Sequence, residues 1–237
     1  MGSTVVELSG VSAVYEGERT PALHNLSLHV GSDEMVGIVG PNGAGKTTLL
    51  EVINGLLPIT EGTVQVLGER VGSRSHRLRR RIAYLPQDMF FSPDTPFLAR
   101  DVVLMGRFAG IGPFRPPRRE DHEQTMQALI AVGADELSRR PIGRLSGGQQ
   151  RKVLLARVIA RQPRVLLLDE PLTNIDPEAK EDLSHLILEI HRQLGLTTLF
   201  VSHEFGPLLA AADRLITVVA GRIIARGMTE PQPVKVQ

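Results

Sequence analysis

Short apolar runs, each bounded by glycine, proline or charge, recur along the chain at Met35–Val39, Ile82–Leu85, 165–168 and Thr197–Val201. Two of them carry almost no polar alternation, the pattern of strands covered on both faces by helices. The stretch 5–14 and the pair 215–219 and 222–225, joined by Ala220-Gly221, look two-sided and are expected as antiparallel pieces flanking the main sheet. Between Asp88 and Ser146 the character changes. Pro93, Pro96, Pro113, Pro116 and Pro117 interrupt the chain, and apolar positions then recur at helical spacing through Met126, Leu129, Ile130 and Val132. The pattern predicts an α/β fold with a mostly parallel sheet, an antiparallel β subdomain and an inserted helical subdomain at about 88–160. No internal repeat is visible, so the chain reads as a single domain over 1–237 with a short Pro-containing tail at 228–237.

Composition narrows the partners. Of 237 residues, 42% are apolar, enough for a sizeable core, and 27 basic against 26 acidic side chains leave no field that would draw nucleic acid. The run Arg74, His76, Arg77, Arg79, Arg80 and Arg81 is the one basic cluster; it reads as a solvated helix face, with phosphate or lipid contact as the alternative. Cysteine is absent, which excludes a disulfide framework and thiolate metal sites. The N-terminus lacks a basic segment leading into an apolar core, Val6 stands where a myristoylation motif needs Ser or Thr, and no apolar run approaches the ~18 residues that span a bilayer. A protein of this kind would serve a membrane only by docking onto another protein.

The chemistry begins at Gly40-Pro41-Asn42-Gly43-Ala44-Gly45-Lys46-Thr47, which fits the phosphate-loop pattern G-x-x-x-x-G-K-[ST] between an apolar strand and the helical run opening at Thr48. Glycines let backbone N–H groups close on phosphate oxygens, and the start of the following helix adds positive potential. Lys46 would reach the β- and γ-phosphates and the Thr47 hydroxyl would ligate Mg²⁺. Downstream, the strand at 165–168 runs into Asp169-Glu170. Alternation along a strand should make these carboxylates diverge, Asp169 toward the metal and Glu170 toward the attacking water. A second strand ends at His203, at the sheet edge where open α/β folds bind ligands, within reach of the γ-phosphate or the water.

Leu145-Ser146-Gly147-Gly148-Gln149, followed by the helical run at 150–160, decides among phosphate-loop proteins. Here the sequence resembles the ATP-binding-cassette family, for which L-S-G-G-Q is the signature, from Leu8 to about Gly227. The resemblance implies an ATPase using ATP and Mg²⁺ whose signature residues, Ser146 to Gln149, close on the γ-phosphate held by a second cassette chain, in the simplest case an identical one. It further implies that Tyr15 stacks on adenine, that Gln87 links the metal site to the helical subdomain, and that Asp176 contacts the dimer partner. Two departures stand out: Thr-Asn-Ile before Asp176 where the family more often has Ser-Ala-Leu, and Arg151-Lys152 where Gln-Arg is common.

The resemblance also implies a location at the cytoplasmic face of the cell membrane, beneath an integral permease contacted around 88–110. Cargo is hinted at by Asp101-Val102-Val103-Leu104-Met105-Gly106-Arg107-Phe108, Gly112-Pro113-Phe114-Arg115-Pro116-Pro117 and Asp121, which are similar to the matching stretch of manganese/zinc importer ATPases. Ferric-siderophore importers carry a similar M-G-R segment. The expectation is import of a divalent metal, delivered by an extracytoplasmic metal-binding protein. A siderophore importer, an exporter subunit and a soluble non-transport cassette ATPase remain as alternatives.

Overall fold

In a computed structural model, residues 3–72, 76–112, 115–203 and 206–228 are described. In chain order the elements are β1 (Thr4–Ala13), β2 (Leu23–Gly31), β3 (Met35–Val39), α1 (Lys46–Asn54), β4 (Glu61–Val66), β5 (Glu69–Arg70), α2 (His76–Arg81) and β6 (Ile82–Leu85). Then follow α3 (Ala99–Met105), α4 (Phe108–Ile111), α5 (Arg119–Ala131), α6 (Gly147–Ile159), β7 (Val165–Asp169), α7 (Pro177–Leu194), β8 (Thr197–Val201), α8 (Pro207–Ala210), β9 (Arg214–Val219) and β10 (Arg222–Met228). Arg74, Pro113 and Phe114, singled out in the sequence, lie outside the described residues, as does the tail beyond Met228.

Two sheets form. The smaller, ordered β2-β1-β4-β5, is antiparallel; the larger runs β10-β9-β3-β8-β7-β6. The strands β9, β3, β8, β7 and β6 are mutually parallel, and only β10 turns back. The hairpin at 215–225 therefore differs from the antiparallel flank expected. Its first strand hydrogen-bonds to β3 along Val36–Val39 and is an integral strand of the main sheet, because the free edge of β3 lies beside it rather than beside the smaller sheet.

Alternation in the parallel strands sorts the core into two layers. Ala83, Leu85, Leu166, Leu168 and Phe200 face α3, α5, α6, α7 and α8, whereas Ile82, Val165, Leu167, Leu199 and Val201 face α1 and the antiparallel sheet. Burial of this alternating set on both faces excludes a one-residue slip, which would exchange the two layers. Among the described residues no helix is long and apolar enough to cross a membrane.

The helices between β6 and β7 are joined at one corner. Gly106 follows α3 so close to α6 that an added Cβ would stand 2.1 Å from the Arg157 carbonyl. Arg107 then donates through Nε to Asp121 Oδ1 (3.1 Å) and through Nη1 to the Ala160 carbonyl (2.9 Å). Asp121 also accepts from the Arg118 N–H at 3.0 Å; that bond, with the Arg107 guanidinium, holds its carboxyl below the usual carboxylate range. On α5 the buried face is Asp121, Thr125, Ala128 and Leu129, while Met126 and Ile130 are exposed. The helix is turned away from its apolar pair because Asp121 and Thr125 satisfy their polar atoms locally, Thr125 donating to the Asp121 carbonyl at 2.7 Å.

Packing at this corner and burial on α7 each set an expectation. Gly106→Ala should destabilise the fold by about 2 kcal/mol or more, since a backbone carbonyl blocks the methyl group; calorimetric melting would detect it as an early transition. His191 on α7 is buried, with Nδ1 3.0 Å from Thr198 Oγ1, and burial pushes its pKa down from 6.5, offset in part by Asp213 and Asp33. The folded state thus favours neutral histidine, and the unfolded chain binds the proton first as pH falls. Stability should decline below about pH 6.5 by at most about 1.4 kcal/mol per pH unit, and urea titrations of His191→Gln should show a shallower decline.

Candidate functional site

Parallel strands place their carboxyl ends on one edge, and here β3, β8, β7 and β6 deliver four loops to it. After β3 comes the glycine-rich loop. Gly40 has φ +149° and a Cβ there would lie 2.0 Å from the Val218 carbonyl; Gly45 has φ +98° and its Cβ would lie 2.6 Å from the Ala22 carbonyl. Neither position admits a side chain. Gly45 caps α1 with no side-chain hydrogen bond, so the N–H groups of the first turn face outward as an anion-binding nest. Lys46 is buried, and its Nζ donates to the carbonyls of Gly40 and Pro41, both at 2.9 Å, which centres the ammonium in the loop.

The loop opens into a cleft of about 730 Å³ lined by Asn42, Gly43, Ala44, Gly45, Lys46, Thr47 and Thr48 together with Tyr15, Gln87, Glu170, Thr173 and His203. Tyr15 lies just past the end of β1; its hydroxyl donates to Glu51 Oε2 at 2.7 Å and lies 3.1 Å from Thr48 Oγ1. The ring is thereby fastened to α1 at the cleft wall.

The two carboxylates separate, though not by strand alternation. Asp169 ends β7, whereas Glu170 has left the strand with φ +45°, a left-handed backbone rare outside glycine and typical of strained functional positions. Asp169 is buried. Its Oδ2 accepts from the Tyr84 hydroxyl at 3.3 Å, and the Thr47 hydroxyl stands near the same carboxylate. Burial is the main cause that raises its pKa, and Thr47 and Tyr84 oppose it. Tyr84 in turn is pushed up by burial and by Asp169, so it stays a protonated donor. Glu170 turns the other way. Its Oε2 accepts from Gln87 Nε2 (3.0 Å) and Thr173 Oγ1 (3.0 Å) and lies 3.2 Å from His203 Nδ1. One oxygen thus gathers side chains from the loops after β6, β7 and β8.

Sequence reasoning alone misses Tyr84, Thr173 and Glu51. Tyr84 pairs with Leu167 across two strands whose adjacency no local pattern reveals. Thr173 does carry a signal, standing three residues after Glu170, the reach of a tight turn.

The signature residues are elsewhere. Ser146 Oγ accepts from the Gln149 N–H at 3.3 Å and Gln149 Oε1 accepts from the Ser146 N–H at 3.1 Å, a reciprocal capping box that starts α6. Ser146, Gly148 and Gln149 line a separate cavity of about 500 Å³ with Lys152, Asp135 and Glu136. Gly147 and Gly148 abut the segment that starts α7: a Cβ on Gly148 would stand 3.0 Å from Ala179 Cβ. Asp176 caps that helix by accepting from the Ala179 N–H at 2.9 Å. The fold therefore unites the phosphate loop, Tyr15, Gln87, the acidic pair and His203, and keeps Ser146–Gln149 and Asp176 apart from them.

Comparison with known proteins agrees with this geometry. Residues 23–173 match the family model described as ABC transporter. The manganese transport system ATP-binding protein MntB of Bacillus subtilis is 37% identical over 227 residues, covering 95% of this chain and 87% of that protein. The sulfate/thiosulfate import ATP-binding protein CysA of Brucella melitensis is also 37% identical, over 92% of this chain but 59% of its own length. Among solved structures, the ATP-binding cassette MJ0796, a dimer in a post-hydrolysis state bound to ADP and Pi, superposes with TM-score 0.78 and 25% identity over 95% of this chain and 99% of that one.

Lys46→Ala removes the one ammonium at the centre of the loop. Nucleotide affinity should fall about 10- to 100-fold, the worth of a charged hydrogen bond, and titration with a fluorescent ATP analogue measures it.

Proposed function

The chain belongs to the ABC transporter family as an ATP-binding, ATP-hydrolysing subunit, and on that premise we propose that it powers uptake of a divalent metal ion, manganese or zinc, through a membrane permease. In this reading the chain lies peripherally at the cytoplasmic face, as half of a nucleotide sandwich with a second, identical cassette, and an extracytoplasmic protein feeds metal to the permease. The separation of the phosphate-loop cleft from the Ser146–Gln149 cavity supports the pairing, since one chain cannot close both surfaces on one nucleotide. Asp176 would then meet the partner beside the signature.

Within the cleft, Gly40 to Thr48 hold the triphosphate, with Lys46 on the β- and γ-phosphates, and Tyr15 takes the adenine. Asp169 Oδ1 is buried without a hydrogen-bond partner among the described residues, and the Thr47 hydroxyl stands beside the same carboxylate. Hard oxygen donors of this kind fit Mg²⁺, and the ion would offset phosphate charge; Gln87, whose amide nitrogen is turned to Glu170, would offer it only the side-chain oxygen. Glu170, held by Gln87, Thr173 and His203, polarises the water that attacks the γ-phosphorus, and the bond to the bridging oxygen breaks to leave ADP and phosphate. His203 orients the water or the γ-phosphate.

The observation that carries the cargo reading is the length match: the chain spans 87% of MntB but 59% of CysA at equal identity. Exposed Phe90, Phe97 and Phe108 in the 88–110 stretch suit contact with a permease helix.

Measured manganese, zinc and iron content in cells lacking the gene tests the proposal. We expect a selective loss of manganese or zinc uptake that wild type restores and Glu170→Gln does not. The purified Glu170→Gln chain should bind ATP normally, hydrolyse it at least about 100-fold more slowly and accumulate as a dimer. Unaltered metal content with other uptake routes silenced would overturn the cargo; equal hydrolysis would overturn the role of Glu170.

A further inference from the structure

Two residues past the signature, Arg151 occupies an unusual place. It is 1% exposed, yet among the described residues it faces no carboxylate at bonding distance; Asp88 acts on it only through space. Its Nη2 donates to the Gln87 carbonyl at 2.7 Å and its Nη1 to the Pro86 carbonyl at 3.4 Å, and its guanidinium lies 4.4 Å from the centroid of the Phe90 ring. The adjacent Gln150 grips the same segment, accepting from the Phe91 N–H at 3.1 Å and donating to the Phe91 carbonyl at 3.4 Å. Helix α6 thus holds the backbone on both sides of Gln87 and Phe90. Desolvating a guanidinium is costly, and carbonyls alone compensate it incompletely. A neutral side chain would fill the space at lower cost, so the charge and its planar fork answer to something other than filling.

We propose that Arg151 is the positioning residue through which α6 sets Gln87 against Glu170, so that the signature turn, Phe90 and the hydrolytic carboxylate form one linked body. The proposal rests on the function given above, in which Glu170 and Gln87 serve hydrolysis and the signature turn meets the partner's nucleotide. The chain of contacts is continuous. Ser146 and Gln149 cap α6, Arg151 one turn on fixes the Gln87 carbonyl, and the Gln87 amide donates to Glu170 Oε2 at 3.0 Å. Nucleotide engaged by the signature in one direction, or a permease helix on Phe90 in the other, therefore shifts the carboxylate of this chain's own cleft. Arg suits the task because its fork reaches two carbonyls while its face stacks on a ring; lysine does one of these at a time.

The test is a double-mutant cycle on the purified full chain, reading kcat and KM for ATP with melting temperature as the control. Arg151→Lys should lower kcat about 10- to 100-fold, the size of effect expected from misplacing a catalytic group by about 1 Å, with KM within about twofold because the phosphate loop is untouched. In a Gln87→Ala background the same substitution should cost less than about twofold more, since both act through one group. Phe90→Leu, at a partly exposed position, should lower kcat about threefold and lose that effect in the same background; it decides the question if Arg151→Lys does not fold. Unchanged kcat, or losses that multiply across the cycle, would overturn the role of Arg151. A wild-type chain that turns over no ATP would overturn the functional reading and the proposal with it.

Discussion

Everything in the site depends on the parallel pairing of β3, β8, β7 and β6. A parallel ladder aligns the carboxyl ends of its strands, and side chains that are 46, 87, 170 and 203 residues into the chain meet at one edge because of it. The pairing is enforced by burial on both faces. A slip of one residue in β7 would send Leu166 and Leu168 into the α1 layer and move Asp169 away from Tyr84 and Thr47. The same packing that makes the strands unreadable as amphipathic elements fixes the register of the site to within a fraction of a residue.

What was legible in the sequence was local. The phosphate loop, the strand ending in Asp169-Glu170 and the turn opening α6 each fit within a dozen residues, and their backbone demands select residue types directly: no side chain fits at Gly40 or Gly45, and Ser146 and Gln149 cap each other. What was hidden depended on pairing. The partnership of Tyr84 with Asp169 and the parallel course of β9 beside β3 rest on which strands are neighbours, a fact spread over more than eighty residues. The strands β2, β4 and β5 carry mixed polarity in an antiparallel sheet and offer no comparable signal. On α5 the apolar spacing points to Met126 and Ile130, while polar Asp121 and Thr125 take the buried face by supplying their own hydrogen bonds.

The Met105-Gly106-Arg107 segment shows how a resemblance and a physical cause can coincide. Gly106 is required by the close approach of α6, and Arg107 with Asp121 forms a nearly buried ion pair that ties α4, α5 and the end of α6. Such a corner answers a packing demand of the helix arrangement itself, independent of any cargo.

The distance between the phosphate-loop cleft and the Ser146–Gln149 cavity has a genetic consequence. In the proposed pair, each complete site draws its halves from two chains, so a defect in one half and a defect in the other are complementary when carried on different copies. A mixed pair of a loop-defective and a signature-defective chain retains one whole site, with both lesions falling together in the other. Co-expressed with wild type, either defective copy likewise leaves one whole site in every mixed pair it enters, so wherever the complementing pair works the lesion is masked there and shows only in pairs of two defective copies.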